Sequence, residues 1–448
     1  MSRVEASTSR TLSHRLATEQ SERRLPSLVA GIVRDGELVW SDAVGTLDAR
    51  PGGPAPDTDT QYRLGSISKT FVAVEIMRLR DEGRLEVGDM AGKHLDELDL
   101  GPITIAQLLT HTSGLQAEAD GPWWERTSGR PWDAHAPQLR FTPGTRFHYS
   151  NMGYAALGEI ITRLRGEPWH EAVRTGILDT LGLARTTVRP EPPVAPGLAV
   201  HPFADLTQPE PEHDAAAMAP AGQLWSTVTD LGRWAAFLGG QTADVLRSET
   251  LDEMLHPVAV NDSPDIAWGG AHALGWQVWN VDGRRFAGHG GSMPGFLAVL
   301  RVDLTSGDGV VLFTNATSGL GTAATDLLNL FAEHEPHRPK GWSADPTQAE
   351  TTELTGEWFW GTTRFALALQ PDGGLRLGTP GEGRGARFTR TSDGWIGLEG
   401  YYAGEPLTVI RDDDGRPVQL DLASFVFTRT PYDPAAEVPG GLDPAGWR

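Results

Sequence analysis

The spacing of apolar and polar positions lays the chain out as a hairpin, a helical middle, a second group of strands and a β-rich tail. Leu28-Val29-Ala30-Gly31-Ile32-Val33 and Leu38-Val39-Trp40 flank Arg34-Asp35-Gly36-Glu37, and an Asp-Gly pair between two such runs predicts a hairpin over 27–41. From about Ser66 to Glu82 the period becomes helical. Val72, Ile76 and Leu79 fall at i, i+4 and i+7, which turns Glu75, Arg78 and Arg80-Asp81-Glu82 toward water, and Gly83 supplies the stop. The same reasoning predicts helices over 104–110, 152–165, 168–180 and 228–238, the last opened by Thr227-Val228-Thr229-Asp230 in a capping pattern. Strands return at 296–302 and 310–313, joined through Ser306-Gly307-Asp308-Gly309, and a helix at about 320–334 follows. A hairpin, a helical insertion and renewed strands describe an α+β domain with a mainly antiparallel sheet.

Residues 336–350 hold three prolines and no apolar period, the mark of a linker. Beyond them Pro371-Asp372-Gly373-Gly374, Ser392-Asp393-Gly394 and Asp413-Asp414-Gly415 punctuate short strands, which predicts a small β-barrel or sandwich. The expected division is therefore a domain over 1–335, a linker over 336–350 and a β-domain over 351–448.

Composition narrows the classes of function. A chain of 448 residues with 39% hydrophobic residues and 15 Trp can fill more than one core. A formal charge of −21 repels nucleic acid and anionic membranes. Cysteine is absent, which excludes disulfides, a thiolate nucleophile and Cys-based zinc sites. Residues 1–25 lack the apolar run of a signal peptide, and no stretch approaches the ~20 apolar residues of a membrane-spanning helix. A soluble, cytoplasmic protein without nucleic-acid or membrane partners is expected; the oligomeric state is not legible.

Lysine occurs only at Lys69, Lys93 and Lys340, every other cationic side chain being Arg. A buried lysine can lose its proton whereas arginine cannot, so each retained lysine is of interest. Lys69 alone has a serine three residues before it, in Gly65-Ser66-Ile67-Ser68-Lys69-Thr70. Positions i and i+3 share a helix face, so the Ser66 hydroxyl lies beside the Lys69 amine. A serine needs such a base to become a nucleophile, and a desolvated lysine can serve as one.

Two further segments stand out. Phe147-His148-Tyr149-Ser150-Asn151 contains the chain's only Tyr-x-Asn, and Gly288-His289-Gly290-Gly291-Ser292 its only His-x-Gly. Ser-x-x-Lys, Tyr-x-Asn and Lys/His-x-Gly in this order resemble the serine β-lactamase and penicillin-binding-protein superfamily, in its class C-like esterase and D-peptidase branch. Leu108-Leu109-Thr110-His111-Thr112-Ser113-Gly114-Leu115 and Ala221-Gly222-Gln223-Leu224-Trp225-Ser226-Thr227 add to the likeness, which spans roughly residues 25–335. The tail resembles the lipocalin-like β-domains that follow many such catalytic domains.

The resemblance implies an acyl-enzyme on Ser66, with Lys69 and Tyr149 sharing the proton work and either of them able to take the Ser66 proton. It implies that Asn151 binds substrate or orients Lys69, and that His289, Gly290, Gly291 and Ser292 line the substrate strand. The backbone N–H groups of Ser66 and Ser292 would form an oxyanion hole. No metal or organic cofactor is implied. Where β-lactamases of this group carry Lys, this chain has His289, which removes a fixed cation and favours small ester, amide or peptide substrates over β-lactams. Hydrolysis, transfer of the acyl group to an amine or alcohol (including peptide cyclisation) and a non-catalytic binding module all remain open. His111 reads as a structural loop cap, and Trp123, Trp124 and Trp132 as core or as the wall of an acyl pocket. His201, His213 and His256 lack metal-ligand spacing, and the acidic runs 92–99 and 209–214 read as solvated surface. The β-domain is either a packed barrel, a ligand-holding one or a cover for the site's rim.

Overall fold

Asp35 and Gly36 both take positive φ, 52° and 79°, and this turn reverses the chain between β1 (Ser27–Arg34) and β2 (Glu37–Gly45). The computed structural model describes residues 3–431 other than 100, 264, 266, 340 and 379–384, in two units, Met1–Arg338 and Pro339–Arg448. In the first unit β1 is the second strand from one edge of a seven-stranded antiparallel sheet. From one edge the order is β2, β1, Gly309–Thr314, Phe296–Asp303, Arg284–Met293, Gln277–Val281 and Gly270–His272.

Successive β1 side chains serve two cores, as the two-residue period of a strand requires. Val29 and Val33 join the core built on the helix Val228–Leu238 and the helical region. Leu28, Ala30 and Ile32 join the other, beneath the helices α1 (Ala6–Glu22) and Ala323–His334. Helix α1 was not anticipated from the sequence. Its buried stripe is Thr8, Leu12, Leu16 and Glu19, so two of the four inward positions are polar and dilute the apolar signal. Glu19 is tied to Arg15 at 2.8 Å, and Arg15 reaches Asp326 on the terminal helix, also at 2.8 Å.

The helix from Ser66 to Glu82 begins as a 3-10 turn, Gly65–Ile67, and continues as α2 (Ser68–Asp81). The expectation that Glu75 faces water is wrong. Nearly all of α2 is buried, Glu75 included, because the helix Asn151–Arg165, the helix Trp169–Val173 and the 3-10 run Ala216–Ala221 enclose it. Arg78 and Arg165 each meet the Glu75 carboxylate at 2.6 Å, which makes the burial tolerable. The run 209–214 is likewise not wholly solvated, since the Glu210 side chain is buried against Arg126.

The second unit contains an eight-stranded closed barrel running from Gly356–Trp360 to Phe425–Thr428, its first and last strands meeting at Phe359 and Thr428. Trp358, Leu367, Leu375, Phe388, Leu420 and Phe427 fill it, giving a packed interior. A 3-10 run, Pro346–Leu354, occupies the end of the stretch read as a linker. Among the described residues no helix is long and apolar enough to cross a membrane.

Candidate active site

Ser66 lies in the turn between the short strand Tyr62–Arg63 and α2, where two backbones approach through glycine. Gly65 has φ +54°, and a Cβ there would come within 2.4 Å of the Ser292 nitrogen. A Cβ on Gly291 would come within 1.8 Å of the Leu64 carbonyl oxygen and 3.3 Å of the Ser66 nitrogen. Only glycine fits either position, and the contact brings the His289–Ser292 segment of strand Arg284–Met293 against the Ser66 turn.

Lys69 is fully buried. Its Nζ donates to the Ala221 carbonyl at 2.7 Å and lies 3.0 Å from Ser66 Oγ. Tyr149 and Tyr154 present their rings 5.0 and 5.6 Å from the same nitrogen. Burial pushes the amine down to about 7, against the pull of Glu118 and Glu125, which favour its charged form.

Tyr149 is half-buried, and burial raises its hydroxyl above the ordinary tyrosine range while a hydrogen bond with Ser66 acts the other way. Its ring stacks on His111 at 4.0 Å. His111 is buried at φ +58°, and its Nδ1 accepts the Ser150 N–H at 3.1 Å. Burial holds the imidazole neutral, so its proton is on Nε2. Ser150 caps the helix Asn151–Arg165 by accepting from the Gly153 N–H, which places Tyr149 just before that helix and Asn151 in its first turn.

Asn151 Nδ2 donates to Glu118 Oε1 at 2.7 Å, and its buried Oδ1 has no hydrogen-bond partner among the described residues. Lys69 is not among the partners of Asn151. His289 is buried with Nδ1 2.6 Å from the Gly290 carbonyl oxygen. A carbonyl only accepts, so Nδ1 carries the proton and Nε2 is left as an acceptor. Burial, then the nearby Lys69, push His289 down to about 3, so no cation stands at this position near pH 7.

Several neighbours gave no sign in the sequence. His272, on the sheet's edge strand, stacks on Phe147 at 4.4 Å, lies 5.5 Å from the His111 ring and is pushed down to about 4 by burial. Glu118, open to solvent at the site's edge, also accepts from Trp124 Nε1 at 2.7 Å. The loop around Glu118 has neither period nor motif, so only its closeness to the Thr-Ser-Gly segment hinted at it. His111, read as structural, does support a loop, and it also touches Tyr149. Trp124 and Trp132 are buried in the core while Trp123 is exposed. Among the described residues no group of three or more His, Asp or Glu is arranged to hold a metal ion.

Comparison with known proteins gives the chain a family. Residues 10–335 match the family described as Beta-lactamase, and residues 347–429 match a domain of unknown function (DUF7586). Penicillin-binding protein 4 of Amycolatopsis lactamdurans is 28% identical over 70% of this chain and 86% of its own length. Esterase EstB of Burkholderia gladioli is 32% identical over 36% of this chain and 47% of its own. The structure of a D-stereospecific amidohydrolase from Streptomyces sp. superposes with a TM-score of 0.60 at 26% identity, covering 74% of this chain and 99% of that one.

Proposed function

Starting from the fact that this chain belongs to the beta-lactamase family, we propose that it is a serine hydrolase that cleaves small esters or amides through an acyl-Ser66 intermediate. The observation that carries the reading is the buried Lys69 amine, 3.0 Å from Ser66 Oγ and lowered to about 7. The esterase and amidohydrolase relatives support the same class of substrate.

In its neutral form Lys69 keeps an N–H on the Ala221 carbonyl and offers its lone pair to the Ser66 hydroxyl. Ser66 Oγ attacks the acyl carbon, its proton passes to Lys69 Nζ, and the carbonyl electron pair moves to the oxygen. That oxyanion sits at the Ser66 and Ser292 N–H groups. Tyr149, whose hydroxyl is held protonated, gives its proton to the leaving group as the tetrahedral species collapses, and recovers one from Lys69. Water then attacks the acyl-enzyme by the reverse sequence, freeing the acid and Ser66. Neutral His289 offers no charge to a β-lactam carboxylate, so β-lactam turnover is expected to be poor.

The test is the incubation of wild type, Ser66→Ala and Lys69→Ala with p-nitrophenyl acetate, following nitrophenolate release and intact mass. Turnover with an acetyl adduct on Ser66, lost in both variants, is the expected result. Equal rates in wild type and Ser66→Ala would end the proposal.

A further inference from the structure

The segment Ala221-Gly222-Gln223-Leu224 adds more than a carbonyl to the Ser66 turn. Among the described residues the Lys69 amine has two oxygen partners, Ser66 Oγ and the Ala221 carbonyl. The direction of that carbonyl therefore decides how Nζ is aimed at the hydroxyl. Ala221 ends the 3-10 run Ala216–Ala221, which is six residues long and carries Pro220 inside it. Such runs hold themselves poorly beyond about three or four residues, and proline takes away a donor. Support has to come from outside the run.

Gln223 supplies it. The residue is 3% exposed, and all the donors and acceptors of its side-chain amide are engaged. Nε2 donates to the Val188 and His213 carbonyls at 3.2 and 3.4 Å. Oε1 accepts the Ala215 N–H at 3.1 Å, at the start of the run that Ala221 ends, and so ties the two ends of the run together. The same oxygen accepts from Arg63 Nη2 at 2.8 Å.

Arg63 stands three residues before Ser66 and lies opposite Trp225 across a pair of short strands. It is 2% exposed, and its Nε has no hydrogen-bond partner among the described residues. Burial pushes the guanidinium down to about 10, while Glu212, Glu125 and Asp214 favour its charge without a hydrogen bond to it. A buried cation whose side-chain partner is a neutral amide is destabilising, and an apolar side chain would fill the same space without that penalty. What Arg63 gains is a link between the strand leading into Ser66 and the run ending at the Lys69 partner.

We infer that Gln223, held by Arg63, is a positioning residue for the base: granted the acyl-Ser66 reading above, the pair fixes the Ala221 carbonyl against Lys69 and so aims the amine's lone pair at Ser66. Neither residue exchanges a proton in the reaction. The carbonyl also accepts more strongly from the ammonium than from the neutral amine, so a carbonyl that swings away weakens the hold of Lys69 on its proton.

The test follows first-turnover rates on p-nitrophenyl acetate across pH in two variants. The double variant Arg63→Met, Gln223→Met removes donor and acceptor together, which keeps the fold where Gln223→Met alone would strand a buried guanidinium. Gln223→Asn keeps the amide but is one methylene too short to reach both donors, and decides the matter should the double variant not fold. In each, the plateau above about pH 8 is expected to fall at least about tenfold, with the half-saturating ester concentration unchanged within about twofold. The inflection is expected to move from about 7 to about 6 or below. Gln223→Glu offers an acceptor to both donors and is expected to recover the plateau to within about threefold of wild type.

A plateau that does not fall, an inflection that stays near 7 or rises, or a Gln223→Glu as slow as the double variant overturns the inference. The other groups that act on the amine, Glu118, Glu125, Tyr149, Tyr154, His111 and His289, are unaltered in these variants. Failure of the underlying reading looks different, because wild type then forms no acetyl adduct on Ser66 and both fall together.

Discussion

The protonation of Lys69 should set the pH dependence of acylation. With its ordinary affinity near 10.5, the Lys69 amine would be neutral in only about 1 molecule in 3,000 at pH 7, whereas at about 7 half are neutral. Burial thus enlarges the base-competent fraction by about a thousandfold, equivalent to roughly 5 kcal/mol of preference for the neutral amine. The first-turnover rate with p-nitrophenyl acetate, followed by stopped flow at the isosbestic wavelength of nitrophenol, should rise about tenfold per pH unit below about 7 and level off above about 8. Lys69→Arg keeps a cation but cannot give up its proton, so it should lose at least about a hundredfold in that rate and show no inflection near 7. A rate that is flat or falling from about pH 5 to about pH 8, or a fully active Lys69→Arg, would refute the assignment of Lys69 as the base.

Gly65→Ala forces a Cβ to within 2.4 Å of the Ser292 nitrogen at positive φ, and should cost at least about a hundredfold in kcat/KM by moving Ser66 off its donors. Glu75→Gln leaves Arg78 and Arg165 over a buried, uncharged amide, and should lower stability by about 3 kcal/mol, seen as an earlier urea midpoint with an unchanged slope. Because Lys69 binds its proton more weakly in the folded than in the unfolded protein, the unfolded state holds more protons between about 7 and 10.5. Stability should therefore rise with pH across that window, and Lys69→Met should remove this contribution to the slope. Tyr149→Phe should slow acylation by about a hundredfold or more, and would count against a proton-donor role if the rate were unchanged.

What could be read in advance was whatever a short period or a local motif encodes. The hairpin was visible because of the Asp35-Gly36 pair between two apolar runs, and the helix Asn151–Arg165 because Tyr154, Leu157, Ile161 and Leu164 recur in helical step. The Ser66–Lys69 juxtaposition was visible because three residues span one turn of the chain. Helix α1 escaped notice because Thr8 and Glu19 stand where an apolar residue would have marked the stripe. Glu75 was misplaced because the arginine that neutralises it from outside its own helix, Arg165, is ninety positions away in sequence. Glu118, His272 and the Ala221 carbonyl reach Lys69 and Tyr149 only through tertiary folding, and no local spacing records that.

The place of β1 between β2 and the strand Gly309–Thr314 bears on how the protein is made. At about 5–20 residues per second, a ribosome that has finished β1 needs roughly 15–55 s to reach its second partner. For that time the nascent hairpin carries a strand of almost entirely apolar residues with one edge unpaired, a template for pairing between polysome neighbours. Yield in a recombinant host should therefore respond to translation speed, temperature and chaperone supply more than to the stability of the finished enzyme.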